Sequence, residues 1–260
     1  MELDDGAARR ALGEATWREV MQTEPPTRPS PLWRNGRLDQ EFAELWNRGG
    51  LTRVERRWIS IAAHAATGVP GTIRPYVYGA LRSADLSVDQ LLEGAYHAAY
   101  YTGFPRAQQL DDAVWAVAEE LHLSPTAALD TAPRAWADQA ARDAVAAAHF
   151  EQVVGVPGPL GVTDLSVAGT YDAVFSELWP RGLLTQKERR IITVSCVVAS
   201  ASLTAAEAHT QGALRTGDLT YDELSELVHH CAFVTGWPRA AQMATTGIRA
   251  AAIVAEERAR

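Results

Sequence analysis

Cysteine is scarce: Cys196 and Cys231 are the only two in 260 residues, and they form no CxxC pair. A disulfide scaffold, a thiolate zinc site and a dithiol redox centre are therefore disfavoured. Positive charge is also short, with 24 Lys and Arg against 32 Asp and Glu and a formal net charge of -8. Affinity for nucleic acid comes mainly from clustered basic residues that neutralise phosphates, so nucleic acid is not an expected partner. No run approaches the roughly 20 continuous apolar residues that a membrane span requires. The opening MELDDGAARR is acidic where a secretory leader would be basic. The expectation is a cytoplasmic protein without membrane contact. Sustained apolar/polar alternation is missing too, which makes strands improbable. What is present is 47% apolar residues beside 22% charged, enough for a sizeable core.

The sequence repeats itself. FAELWNRGGLTRVERRWIS from Phe42 matches FSELWPRGLLTQKERRIIT from Phe175, an offset of 133. At the same offset GALRSADLS from Gly79 matches GALRTGDLT from Gly212, and TGFPRAQQ from Thr102 matches TGWPRAAQ from Thr235. No gap is needed, so the chain reads as a tandem duplication of a unit of about 130 residues, an ordinary domain size. The expected division is 1–130, including an N-terminal extension, and 134–260. TAALDTAPRAWA near 126–137 is the join, and PPTRPSP from Pro25 and GVPGPLG from Gly155 are corresponding loops.

Each unit reads as helical. Thr52-x-x-Glu55 and Thr185-x-x-Glu188 are capping boxes, as are Ser87-x-x-Gln90 and Thr220-x-x-Glu223. Each of the first pair opens a helix of about 16 residues. Gly103-Phe104-Pro105 and Gly236-Trp237-Pro238 stop one helix and start the next. The fold class is all-α.

The order of a capping-box helix, a loop, GAL-x-x-x-x-[ST], then E-x-x-x-H-x-x-x-[YV]-x-G-[FW]-P-x-A resembles the carboxymuconolactone decarboxylase family, which includes the alkylhydroperoxidase D-like proteins. Both copies carry it, over about Phe42–Ala118 and Phe175–Ala251. The resemblance implies a small helical fold assembled into trimers or hexamers, with active sites lined by helices and often completed at subunit contacts. A trimer of two-repeat chains would imitate a hexamer of single-repeat ones. The peroxidase branch fits poorly, because its CxxC would fall near Val69 and Thr72 or near Ser202 and Ala205; a cysteine peroxidase is excluded on chemistry. The resemblance places the decarboxylase-branch histidine at His209, before GAL in EAHTQGAL, whereas the first copy has Tyr76 there, in RPYVYGAL.

His209 is the first candidate for an acid or base, since imidazole titrates near neutral pH; the alternative is an ordinary surface or cap histidine. Tyr76 can donate to a bound oxyanion or merely pack. Glu93 and His97, like Glu226 and His230, lie four apart on one helix face, so that the carboxylate can orient the imidazole. The resemblance sets these histidines beside the substrate cavity, while the alternative is a helix-stabilising pair at a packing position. Tyr101 extends the polar row in the first copy, where the second has Val234. Arg56-Arg57 and Arg189-Arg190 follow the capping Glu in both copies; a buried member of either pair, with Arg57 and Arg190 as the candidates, can grip a carboxylate with a planar fork, or the pairs belong to a solvated charged face. His64 is an extra polar group on the Arg57 face, where the second copy has Val197. No further ligand recurs at fixed spacing, so no metal is expected. Trp46, Trp58, Phe104, Trp179 and Trp237 are expected in the core, and the two cysteines as buried fillers.

These residues suggest a cofactor-free acid/base enzyme acting on a small carboxylate, lactone or enolisable carbonyl compound, as in secondary metabolism. It would work by decarboxylation or a related isomerisation, dehydration or cyclisation, with an Arg holding the anion and His209 delivering a proton. Tyr76, His97 or His230 would steady the oxyanion. The competing reading is a non-catalytic helical ligand-binding or assembly protein. An oxidoreductase with an external cofactor ranks last, because no Gly-rich phosphate loop follows a strand.

Overall fold

The computed structural model describes residues 5–28, 30–127, 129–159 and 164–260, and every regular element in them is helical. The order is α1 (Gly6–Met21), α2 (Pro31–Gly36), a π-helical turn (Arg37–Phe42), α3 (Arg53–Thr67), α4 (Arg74–Arg82), α5 (Val88–Thr102) and α6 (Phe104–Glu120). It continues with α7 (Gln139–Val154), α8 (Leu165–Thr170), a second π-helical turn (Tyr171–Leu178), α9 (Gln186–Ser200), α10 (Leu203–Thr216), α11 (Tyr221–Thr235) and α12 (Trp237–Arg258). Of the loop residues singled out above, Pro29, Leu160 and Gly161 lie outside the described residues, as do residues 1–4 and 128.

All four capping boxes form as the spacing predicts. The hydroxyls of Thr52, Ser87, Thr185 and Thr220 accept from the third amide, and Glu55, Gln90, Glu188 and Glu223 return the bond to the cap. Gly103 and Gly236 then end α5 and α11 at φ of +86° and +89°, a region that other residues enter only with strain. Pro105 and Pro238 occupy first-turn positions where no amide is needed.

The duplication reaches further than the matched motifs. α1 and α7 stand at the same offset as the rest, so the segment before residue 37 has a counterpart in the second copy. The copies differ where breakers differ. Pro70 and Gly71 delay α4 to Arg74, whereas Leu203-Thr204-Ala205-Ala206 lets α10 start earlier.

The copies interlock. α3 packs along α9, while α5 of the first copy lies on α9 of the second and α11 of the second lies on α3 of the first. One continuous core runs from Trp17 to Val254, with a smaller cluster of Ala146, Val153, Val154, Phe175 and Trp179 beside it. Trp58 crosses between copies: its ring lies over Gly94, where a Cβ would come within 2.5 Å, and its indole donates to Glu188 at 3.3 Å. Trp46, Trp58, Trp179 and both cysteines are buried. Phe104 and Trp237 are not in the core; each heads a helix and stands on the surface, 60% and 56% exposed, beside Tyr96 and Tyr100 or His229 and Phe233. No helix among the described residues is long and apolar enough to cross a membrane.

Candidate active site

The first turns of α3 and α9 carry the sequence Glu-Arg-Arg, and neither arginine pair forms a solvated face. Arg56, Arg57, Arg189 and Arg190 are all at most 1% exposed. A buried guanidinium needs a countercharge and filled donors. Arg190 has both: Asp218 takes its Nε and Nη2 at 3.0 and 2.9 Å, and the Val153 carbonyl accepts a further bond. Arg57 is held likewise by Asp85, at 3.1 Å, and by the Val20 carbonyl. Here the glycine of each GAL motif finds its reason. A Cβ at Gly212 would lie 2.5 Å from the Val153 oxygen and 3.4 Å from the Arg190 guanidinium, and Gly79 is pressed in the same way against Val20 and Arg57.

The other arginine of each pair links a carboxylate to a histidine across the copies. Glu93 grips Arg181 with two bonds of 2.7 Å and takes Arg189 at 2.8 Å; Arg189 then donates to His97 Nδ1 at 3.1 Å. Because an arginine can only donate, His97 must carry its proton on Nε2, which donates to Thr193 at 2.8 Å. Glu226, Arg48, Arg56, His230 and Ser60 repeat the chain in the other direction, with His230 Nε2 and Ser60 at 2.8 Å. The carboxylate thus reaches its imidazole through a guanidinium rather than by the direct i,i+4 contact expected from the sequence. Burial, followed by the neighbouring arginine, pushes His97 and His230 well below the ordinary histidine range. Burial alone would raise Glu93, but its two arginines outweigh that and hold it below the usual carboxylate range.

His209 differs from these, since it faces a cavity of about 530 Å³. The walls come from both copies: Tyr100 and Tyr101 from α5 of the first, and Phe150, Val174, Val197 and His209 among those from the second. Among the described residues, none of those lining the cavity carries a formal charge. Arg190 Nη1 donates to His209 Nδ1 at 3.0 Å, which leaves the proton on Nε2. Burial and then the Arg190 charge lower His209 to about 3. Tyr101 stands edge-on to it, with ring centroids 5.3 Å apart, and lies over His97 at 5.5 Å. The Trp179 indole donates to the Tyr101 oxygen at 3.0 Å. Burial raises Tyr101 to about 12 although Trp179 and Thr193 both bond its oxygen.

In the first copy the corresponding ground is occupied differently. Tyr76 donates to Glu41 at 2.8 Å and accepts from Arg37 at 2.6 Å, and its ring lies 4.4 Å from that of His64. His64 bonds the Ser60 carbonyl through Nδ1 at 2.7 Å.

The structure therefore brings His209 and Tyr101 to one cavity, with His97 directly behind them. It sets Tyr76 and His64 together elsewhere, and it places Arg57, Arg190, Glu93, Glu226 and His230 in closed networks. Sequence reasoning named Arg56 and Arg189 only as members of the arginine pairs that could grip a substrate carboxylate, missed Arg181, Arg48 and Thr193, and took Trp179 only as packing. The signal was there for most of them, because W-x-R at Trp46-Arg48 recurs at Trp179-Arg181 and both Glu-Arg-Arg runs are identical. Arg37 and Glu41 carried no such signal.

Comparison with known sequences matches residues 31–119 and 167–246 to the model of the carboxymuconolactone decarboxylase family. No curated protein matches the chain.

Proposed function

The chain belongs to the carboxymuconolactone decarboxylase family, and from that premise we propose that it is an enzyme of carbonyl chemistry that uses Tyr101 and His209 as a couple in a cavity whose described walls carry no formal charge. The observation that carries this reading is the pairing of two hydrogen-bond donors on a wall whose described residues carry no formal charge. Such donors act where negative charge develops, and they act more strongly in a site of low dielectric.

Decarboxylation of an acid conjugated to a carbonyl fits the couple. The bond to the carboxylate breaks, CO2 leaves, and the electron pair passes into the carbonyl to give an enolate. Tyr101 O–H and His209 Nε2–H hydrogen-bond the enolate oxygen. His209 does this as neutral imidazole, since its Nδ1 is covered by Arg190 and its protonated form is suppressed. The proton that closes the reaction at carbon comes from Tyr101, whose phenolate the Trp179 N–H then steadies until solvent restores it. Arg190, with its donors on Asp218, Val153 and His209, serves the histidine and does not hold the substrate anion. A carboxylate facing Val174 and Val197 loses water without gaining a cation, which favours its departure. Isomerisation or ring closure through the same enolate would use the same groups. Assembly into a homo-oligomer belongs to this proposal and is supported by the exposed aromatic clusters at Phe104 and Trp237.

Binding without turnover is the second reading, supported by the complete engagement of both ring nitrogens in His97 and His230. A panel of β-keto acids and unsaturated lactone acids, followed by CO2 release, separates the two. Turnover that falls about 10²- to 10³-fold in Tyr101→Phe and in His209→Asn is expected. Saturable binding with no turnover of any member would leave the binding reading, and unchanged turnover in both variants would remove the couple from the mechanism.

A further inference from the structure

We propose that, of the two spaces related by the repeat, one alone is a ligand site, the Tyr101/His209 cavity, and that Arg37, Glu41, His64 and Tyr76 have closed the equivalent space in the first copy. The inference rests on reading that cavity as the ligand site.

The offset of 133 allows the two spaces to be compared wall by wall. Thr170, Val174, Val197 and His209 line the cavity; their counterparts are Arg37, Glu41, His64 and Tyr76. Three of these replacements put a longer polar side chain where a small one stood, and the fourth replaces imidazole with phenol. The four then satisfy one another. Arg37 grips Glu41 at 2.5 and 2.9 Å, Tyr76 sits between them, and His64 packs on the Tyr76 ring. A buried ion pair with its hydrogen bonds filled is a stable occupant, because removing either member strands the other. The guanidinium of Arg37 lies 5.2, 4.9 and 5.4 Å from the ring centroids of Trp17, Trp33 and Phe42, so it covers the group from outside. Glu41 and Tyr76 are buried beneath it.

A second observation is independent of this filling. Trp46 is the counterpart of Trp179, but its buried indole N–H has no partner. The reason is Val234, which stands where the first copy has Tyr101. The first-copy space has therefore lost both ligand-facing donors, the tyrosine through Val234 and the histidine through Tyr76, and the stranded Trp46 donor marks where the tyrosine oxygen would be.

The test counts ligands with 4-fluoroacetophenone, a neutral ketone read by fluorine NMR, on the full chain. Wild type is expected to bind one equivalent. Val174→Trp, which fills the cavity, is expected to bind none, whereas a second open site would keep one equivalent. Two equivalents on wild type, falling to one in folded Val174→Trp, would overturn the inference and leave the proposed function standing, whereas one equivalent on wild type that folded Val174→Trp retains would overturn both. No binding to wild type would overturn both. If Val174→Trp fails to fold, the wild-type count decides. The reverse variant, Arg37→Thr with Glu41→Val, His64→Val, Tyr76→His and Val234→Tyr, is expected to raise the count to two where it folds, and a folded reverse variant that still binds one equivalent would overturn the assignment of the four polar residues as the closing set.

Discussion

His64, His97, His209 and His230 are all shifted below the ordinary histidine value of 6.5, each with burial as the leading cause. Below 6.5 the unfolded chain takes up protons that the folded chain refuses. Their contribution to stability is therefore complete above about pH 6.5 and is lost as pH falls toward the folded values, at up to about 1.4 kcal/mol per pH unit for each histidine. Denaturant unfolding followed from pH 7.5 to 5 should show a steep fall, and a flat profile would contradict the neutral assignments. Ligand binding at the His209 cavity should by the same argument show no titration step near pH 6.5. Ion pairs divide sharply by depth. Glu93→Gln removes the countercharge of two arginines, of which Arg189 is buried, and should cost about 3 kcal/mol of unfolding free energy. Glu120→Gln, whose partner Arg74 is half-exposed, should cost less than about 1 kcal/mol. Residue types were legible in the sequence where the family motif and the repeat pointed at them, as for His209 and Tyr101. Partners were not: nothing in the spacing of Arg189 and Arg190 says that one serves a histidine on another helix while the other serves a histidine on the next.

Helix starts and stops were the most legible features, because each depends on contacts within four residues. All four capping boxes are local, and Thr185→Ala should lower stability by about 1 kcal/mol in urea unfolding. The start of α10 was less legible, since its extension over α4 reflects the absence of breakers rather than a positive signal. Gly212 shows what lies between the two cases. Its motif was visible, but the cause is the approach of α7, remote in sequence, and a methyl group there would meet the Val153 carbonyl. Gly212→Ala should force α7 and α10 apart, destabilise the fold by about 1–3 kcal/mol, and weaken the Arg190 contact that fixes the His209 tautomer. A variant as stable as wild type would show that the helices yield without strain.

The shared core has a consequence for the whole molecule. α3 and α9 bury each other, and α5 and α11 are exchanged between copies, so the chain should unfold in one cooperative transition. Residues 134–260 expressed alone should lack that transition and recover it when mixed with residues 1–130; two separate transitions in the full chain would mean that the copies are independent. The duplication itself was plain from the sequence, but the exchange was not, because an offset carries no information on which copy supplies a wall. That exchange also explains how the two spaces were able to part company. In a pair of identical subunits related by a two-fold axis, any substitution is written twice, and a tyrosine gained on one side is gained on the other. Joining the copies end to end broke that symmetry, so that Tyr101 and Val234, or His209 and Tyr76, are free to differ. One of the two shared spaces can specialise in chemistry while the other becomes its scaffold.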